Sequence, residues 1–105
     1  MTVTAVLRRK TVVRDPAEFE KRAQALDARL LPYLMKQPGF VSREMRLEGG
    51  AGEMVETTTW ASEDDCRRYL RGGAAAMAAT WLDAFLPTAP YPDGTWVRSV
   101  EPTPA

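Results

Sequence analysis

The stretch from Pro38 to Tyr69, PGFVSREMRLEGGAGEMVETTTWASEDDCRRY, constrains the fold more tightly than any other part of this 105-residue chain. It reads as two strands, a glycine-rich turn and a capped helix. Phe40 to Leu47 alternates, and its odd row, Val41, Arg43, Met45 and Leu47, is apolar except for Arg43. Glu48 to Glu53 holds three glycines and suits a hairpin loop, because glycine reaches positive φ without steric cost. Met54 to Ala61 is rich in β-branched residues and predicts the second strand of the pair. Ser62 to Asp65 then carries S-x-x-D, where a serine hydroxyl can accept a free backbone N–H and the acids suit the positive end of the helix dipole.

The flanking segments supply what this hairpin needs to bury one face. Val3 to Val13 predicts a first strand, with Val3, Ala5 and Leu7 on one side. Arg8-Arg9-Lys10 interrupts it, so one basic side chain must share the face of Leu7, either at a solvated strand end or as a cation at a pocket mouth. Asp15-Pro16-Ala17-Glu18 is a helix start, and Phe19, Ala23, Leu26, Leu30 and Leu34 recur at helical spacing. Pro32 predicts a kink, or an end to the regular helix near Leu31 with Tyr33-Leu34-Met35 as a last turn. Beyond the hairpin, Ser62 to Arg71 predicts a second helix with Cys66, Tyr69 and Leu70 on its apolar stripe. Gly72-Gly73 breaks it, and Ala74 to Leu86 restarts with Met77, Trp81 and Phe85 on one face. Pro87 to Pro92 is too proline-rich for regular structure, Asp93-Gly94 signals a turn, and Thr95 to Val100 predicts the last strand.

This order, β-α-β-β-α-(α)-β, predicts one α+β domain of ferredoxin-like type over residues 1–101, with a flexible tail at 102–105. Helices can cover only one face of such a sheet. The other face stays wet or meets a second copy, giving an isologous homodimer. Met54, Glu56, Thr58 and Trp60 share one face of the third strand, and their mixed character suits a cavity lining. They are expected to face away from the helices.

Composition then removes whole classes of function. Fourteen basic and fourteen acidic residues cancel, and a pI near 6.3 gives nucleic acid or an anionic membrane no electrostatic hold. No apolar run approaches the ~20 residues that span a bilayer. The opening MTVTAVLRRKTVV reads as a strand rather than a signal peptide, and one cysteine leaves no intramolecular disulfide, so a cytoplasmic location is expected. The chain has no histidine. That removes Ser-His-Asp and Cys-His catalysis, the usual zinc ligands and a proximal haem ligand. Chemistry must rest on Asp, Glu, Tyr, Arg, Lys, the cysteine, or the substrate's own reactivity.

PGF, the antiparallel pair, and a strand ending in Trp60-Ala61-Ser62 before a helix resemble the antibiotic-biosynthesis monooxygenase-like family of dimeric α+β barrels, over most of the chain from Val3 to Val100. In members that oxidise aromatic polyketide intermediates, a tryptophan at the place of Trp60 lines the cavity. Those enzymes use no flavin, metal or haem: an anthrone or phenol is deprotonated, and its carbanion reacts with oxygen directly. The resemblance therefore implies a cofactor-independent monooxygenase acting on a small aromatic substrate and molecular oxygen, with no cofactor. Where the best-known anthrone oxidisers carry asparagine as the proposed acid/base or oxygen-positioning group, this chain has Glu56, a departure that could supply a general base. A glutamate paired with arginine is the plainer reading. Tyr69 stands where many relatives have a helix histidine, which disfavours the haem-degrading branch; its phenol could donate to a substrate carbonyl or simply pack in the core. Arg43 could neutralise an enolate or phenolate, or pair with a strand glutamate. Glu56, Trp60, Arg43 and Tyr69 are thus the predicted catalytic set. Met54, Thr58, Tyr33 and Trp81 are predicted to line or close the cavity, although the last two also fit ordinary helix packing. Cys66 lies near a helix start, where thiolates are favoured, but without histidine it reads as a small buried hydrophobe. Two rivals stay open: a cyclase or isomerase on the same barrel, and a non-catalytic dimeric ligand-binding or stress-related barrel.

Overall fold

A computed structural model describes residues 1–48, 52–90, 92 and 94–104. The elements run β1 (Val3–Lys10), α1 (Pro16–Leu34), β2 (Phe40–Glu48), β3 (Glu53–Trp60), α2 (Glu63–Arg71), α3 (Gly73–Phe85) and β4 (Val97–Pro102). The strands form one sheet in the order β2-β3-β1-β4, every neighbouring pair antiparallel. This is the ferredoxin-like α+β arrangement that the element order predicts. Residues 49–51 of the expected hairpin loop, Asp93 of the expected turn and Ala105 lie outside the described residues.

Both predicted helix starts have their caps. Asp15 accepts the Glu18 backbone N–H at 2.9 Å, and Ser62 accepts that of Asp65 at 3.1 Å. Gly39 explains the PGF motif. Its φ is +80°, a left-handed value that costs other residues strain, and a side chain there would collide with Asp65 in the first turn of α2. Its carbonyl accepts the Ala61 N–H at 2.7 Å, so this one residue ties the entry of β2 to the end of β3 and the start of α2.

Helix α1 does not stop at Leu31. It runs through Pro32 to Leu34, and helical bonding resumes where the Met35 N–H donates to the Leu31 carbonyl at 2.9 Å. Leu26, Leu30 and Leu34 are all essentially fully buried. At about 1.5–3 kcal/mol each, their burial outweighs the ~3 kcal/mol cost of an internal proline. Strand β1 ends at Lys10, and Thr11 continues only as an isolated bridge to Thr88. Strand β4 begins at Val97 rather than Thr95 and includes Pro102. Thr103 donates its N–H to the Thr2 carbonyl, and its hydroxyl bonds that of Thr4, so the end expected to be loose from 102 is held as far as Thr103.

The sheet faces are the reverse of the expectation. Met54 packs in the main core with Leu26, Leu30, Leu34 and Leu82, and Trp60 packs with Cys66 of α2. The row Met54, Glu56, Thr58 and Trp60 therefore points toward the helices. A two-residue period says which side chains share a face, not which face the helices cover. A bulge between Phe40 and Ser42 shifts the phase of β2, so Phe40 joins this inner row and Val41 is exposed. The outer face carries Thr4, Arg8, Ser42, Glu44, Arg46, Thr57 and Thr59 around a groove of about 360 Å³.

Candidate active site

Glu56 and Arg43 lie on neighbouring strands of the helix-covered face and meet in an ion pair. Arg43 Nε donates to Glu56 Oε2 at 2.9 Å. The same guanidinium pairs through Nη1 with Asp27 of α1 and reaches Met45 Sδ at 3.8 Å. Its side chain is 1% exposed, that of Glu56 16%. Two carboxylates thus neutralise this buried cation, and Arg43 works as a clamp joining β2, β3 and α1. Among the described residues, Glu56 Oε1 has no hydrogen-bond partner. The carboxylate is thus fixed by one oxygen.

Beside it, Tyr69 of α2 stacks on Trp60, with ring centroids 4.6 Å apart and 29° between planes. Trp60 is completely buried, meets Phe40 edge-on at 5.6 Å, and donates its indole N–H to Thr58 Oγ1 at 2.9 Å. Burial, reinforced by the nearby Glu56 carboxylate, raises the Tyr69 phenol well above its ordinary range. At neutral pH it is a hydrogen-bond donor.

Glu56, Thr58 and Tyr69 line a cavity between the sheet and α2–α3, floored by Ala75 and Ala78, with Trp96 and Arg98 also on its wall. Its volume is about 20 Å³, close to what one water molecule occupies. The small alanines keep it from closing altogether.

Three of the eight predicted site residues, Glu56, Thr58 and Tyr69, come together on this cavity. Trp60 stands behind Tyr69 rather than on the wall, and Arg43 reaches the site through Glu56. Met54 is core. Tyr33 and Trp81 make an edge-to-face pair at 5.0 Å against the core, with Arg29 over the Trp81 ring, and do not line the cavity. Cys66 is buried, and burial raises its thiol above the ordinary value, as befits an inert hydrophobe. Among the described residues no three His, Cys, Asp or Glu side chains gather into a metal site.

Arg9 is the basic residue sharing the face of Leu7, and it sits neither at a solvated end nor at the cavity. Its fully buried side chain donates to the Leu82 and Leu86 carbonyls at the end of α3 and to Thr88 Oγ1, and stacks 4.7 Å over Trp96. Desolvation lowers it to about 10, still cationic at neutral pH. Three contributors escaped sequence reasoning: Asp27, Trp96 and Arg98. For the last two a signal existed, since Trp96, Arg98 and Val100 form an alternating row in which Arg98 is the lone cation, the pattern that drew attention to Arg43.

No protein-family model matches the chain, and no curated protein matches it. Solved structures do. SnoaB of Streptomyces nogalater, a cofactor-independent oxygenase, is 30% identical over 99% of this chain and 94% of its own, with a TM-score of 0.63. A mutant of it matches at 28% identity over 97% and 92%, with a TM-score of 0.65. The monooxygenase ActVA-Orf6 of Streptomyces coelicolor, solved with the ligand Nanaomycin D, shares the fold at 22% identity over 98% of this chain and 88% of its own, TM-score 0.65. SnoaB and ActVA-Orf6 are both named as oxygenases, and this chain shares their fold. The chain belongs to the antibiotic-biosynthesis monooxygenase-like family.

Proposed function

We propose that this protein is a cofactor-independent monooxygenase that oxidises an anthrone- or phenol-like aromatic molecule with molecular oxygen, as a homodimer. The observation that carries this reading is the Glu56 carboxylate, anchored by Arg43 through one oxygen and offering the other at a cavity beside the Tyr69 phenol. Glu56 takes a proton from the acidic carbon of the substrate. Tyr69 donates to the oxygen on which the resulting negative charge gathers. The carbanion joins oxygen to form a peroxide, which loses water to leave a carbonyl. A methylene becoming a ketone supplies four electrons, the number dioxygen accepts, so no external reductant is needed. The likeness to SnoaB, itself a cofactor-independent oxygenase, supports the assignment. The second copy would cover the outer sheet face, the one the helices leave open.

One observation favours a second reading, a barrel that binds without chemistry: a cavity of about 20 Å³ admits no tricyclic ring unless Trp96, Arg98 or the α2–α3 region moves aside. Oxygen uptake separates the two. Metal-free, flavin-free protein given dithranol should consume oxygen saturably and form the quinone above a no-enzyme blank. Uptake at the blank rate, alongside tight binding of aromatic ligands, would favour the binding barrel.

A further inference from the structure

Arg98 lies on the inner row of β4, opposite Leu7 in the register and two residues beyond Trp96. It lines the same cavity as Glu56 and Tyr69, yet its side chain is solvent-exposed, placing it at the rim. The other two arginines on this face are committed. Arg43 is held between Asp27 and Glu56, and Arg9 is locked into the end of α3. Among the described residues Arg98 makes no hydrogen bond and no ion pair. The cavity is therefore electrically polarised, with a carboxylate on its inner wall and an uncommitted guanidinium at its mouth. Arg98 is near enough for its charge to oppose the effect of burial on Tyr69, so its field reaches the cavity wall.

We infer that Arg98 is a specificity-determining residue that binds an anionic group, a carboxylate or ionised phenol, on the aromatic substrate. This rests on the cavity being the substrate site proposed above. A planar guanidinium pairs with a carboxylate through two parallel N–H donors, which fixes orientation as well as adding affinity. With its anion at the rim, the substrate turns its opposite, uncharged edge inward, toward Glu56 Oε1. Like-charge repulsion from Glu56 disfavours the reversed pose. The preferred ligands are thus aromatic acids, rather than neutral polycycles.

Isothermal titration of anthraquinone-2-carboxylate and of the corresponding primary amide, two ligands of nearly equal shape, tests this without requiring turnover. The wild-type protein should bind the acid about tenfold or more tightly than the amide, the discrimination expected of a charge-assisted pair at a partly wet rim. Arg98→Gln should remove that preference while leaving amide affinity within about twofold, and Arg98→Lys should recover part of it. An exposed side chain should be replaceable without loss of fold, checked by an unchanged melting temperature. Equal binding of acid and amide by the wild type, or a preference that survives Arg98→Gln, would overturn the role of Arg98 and leave the cavity reading standing. Binding of neither ligand would overturn both together.

Discussion

Tyr69 has its ring face against Trp60, and burial, reinforced by the nearby Glu56 charge, makes its proton hard to remove. The free phenol titrates at 10.0. An ultraviolet difference titration of wild type against Tyr69→Phe should show this tyrosine ionising clearly above that value, and ionisation at or below 10 would contradict the buried placement. Stability follows the same proton. The folded chain holds it more tightly than the unfolded chain, so the contribution is full below pH 10 and is lost as pH rises beyond it. The difference in melting temperature between wild type and Tyr69→Phe should therefore shrink above pH 10; because Arg9 is present in both, its own titration cancels. At this scale the sequence was partly legible. Glu56, Thr58 and Tyr69 could be named from alternation, helical spacing and resemblance. The resemblance implies a wall position for Trp60, whereas it backs Tyr69, a distinction that depends on how two rings stack across β3 and α2. Spacing along one element carries no such information.

Between elements, two residues do most of the joining. Gly39 combines a left-handed φ with a Cα packed on Asp65, so Gly39→Ala should cost more than the ~1–2 kcal/mol of left-handed strain alone, read as a lower urea midpoint with an unchanged slope. Arg43 connects β2, β3 and α1. Its replacement by methionine should destabilise toward the low end of the ~3–5 kcal/mol that breaking a buried pair costs, because Glu56 and Asp27 keep some contact with water. A melting temperature equal to wild type would show that the clamp contributes little. The caps at Asp15 and Ser62, the PGF corner and the order of strands were all readable, since each depends on local chemistry. The passage of α1 through Pro32 was not. There the local preference of proline lost to three leucines whose burial depends on a sheet formed mostly later in the chain. The inversion of the sheet faces has the same origin: the apolar stripes of all the helices, together with the sheet they cover, decide it, and no single strand does.

For the whole molecule, the open sheet face is the remaining surface to be explained. If a second copy covers it, light scattering should give twice the 11.7 kDa chain mass, and Thr57→Arg, on the outer row of a central strand, should shift the protein toward monomer. A monomer at micromolar concentration would remove the barrel and leave only its half. Family membership was legible from short motifs because they mark the corners that hold the fold. The clamp on Glu56 and the size of the cavity were not legible from those motifs, because both depend on side chains that separate elements bring together. In the proposed mechanism Glu56 removes the substrate proton. Its most direct test is the dithranol-dependent rate of oxygen uptake by Glu56→Gln, with folding verified by an intact melting transition. A fall of about 10²-fold or more is predicted from loss of a general base; a rate equal to wild type would contradict the mechanism.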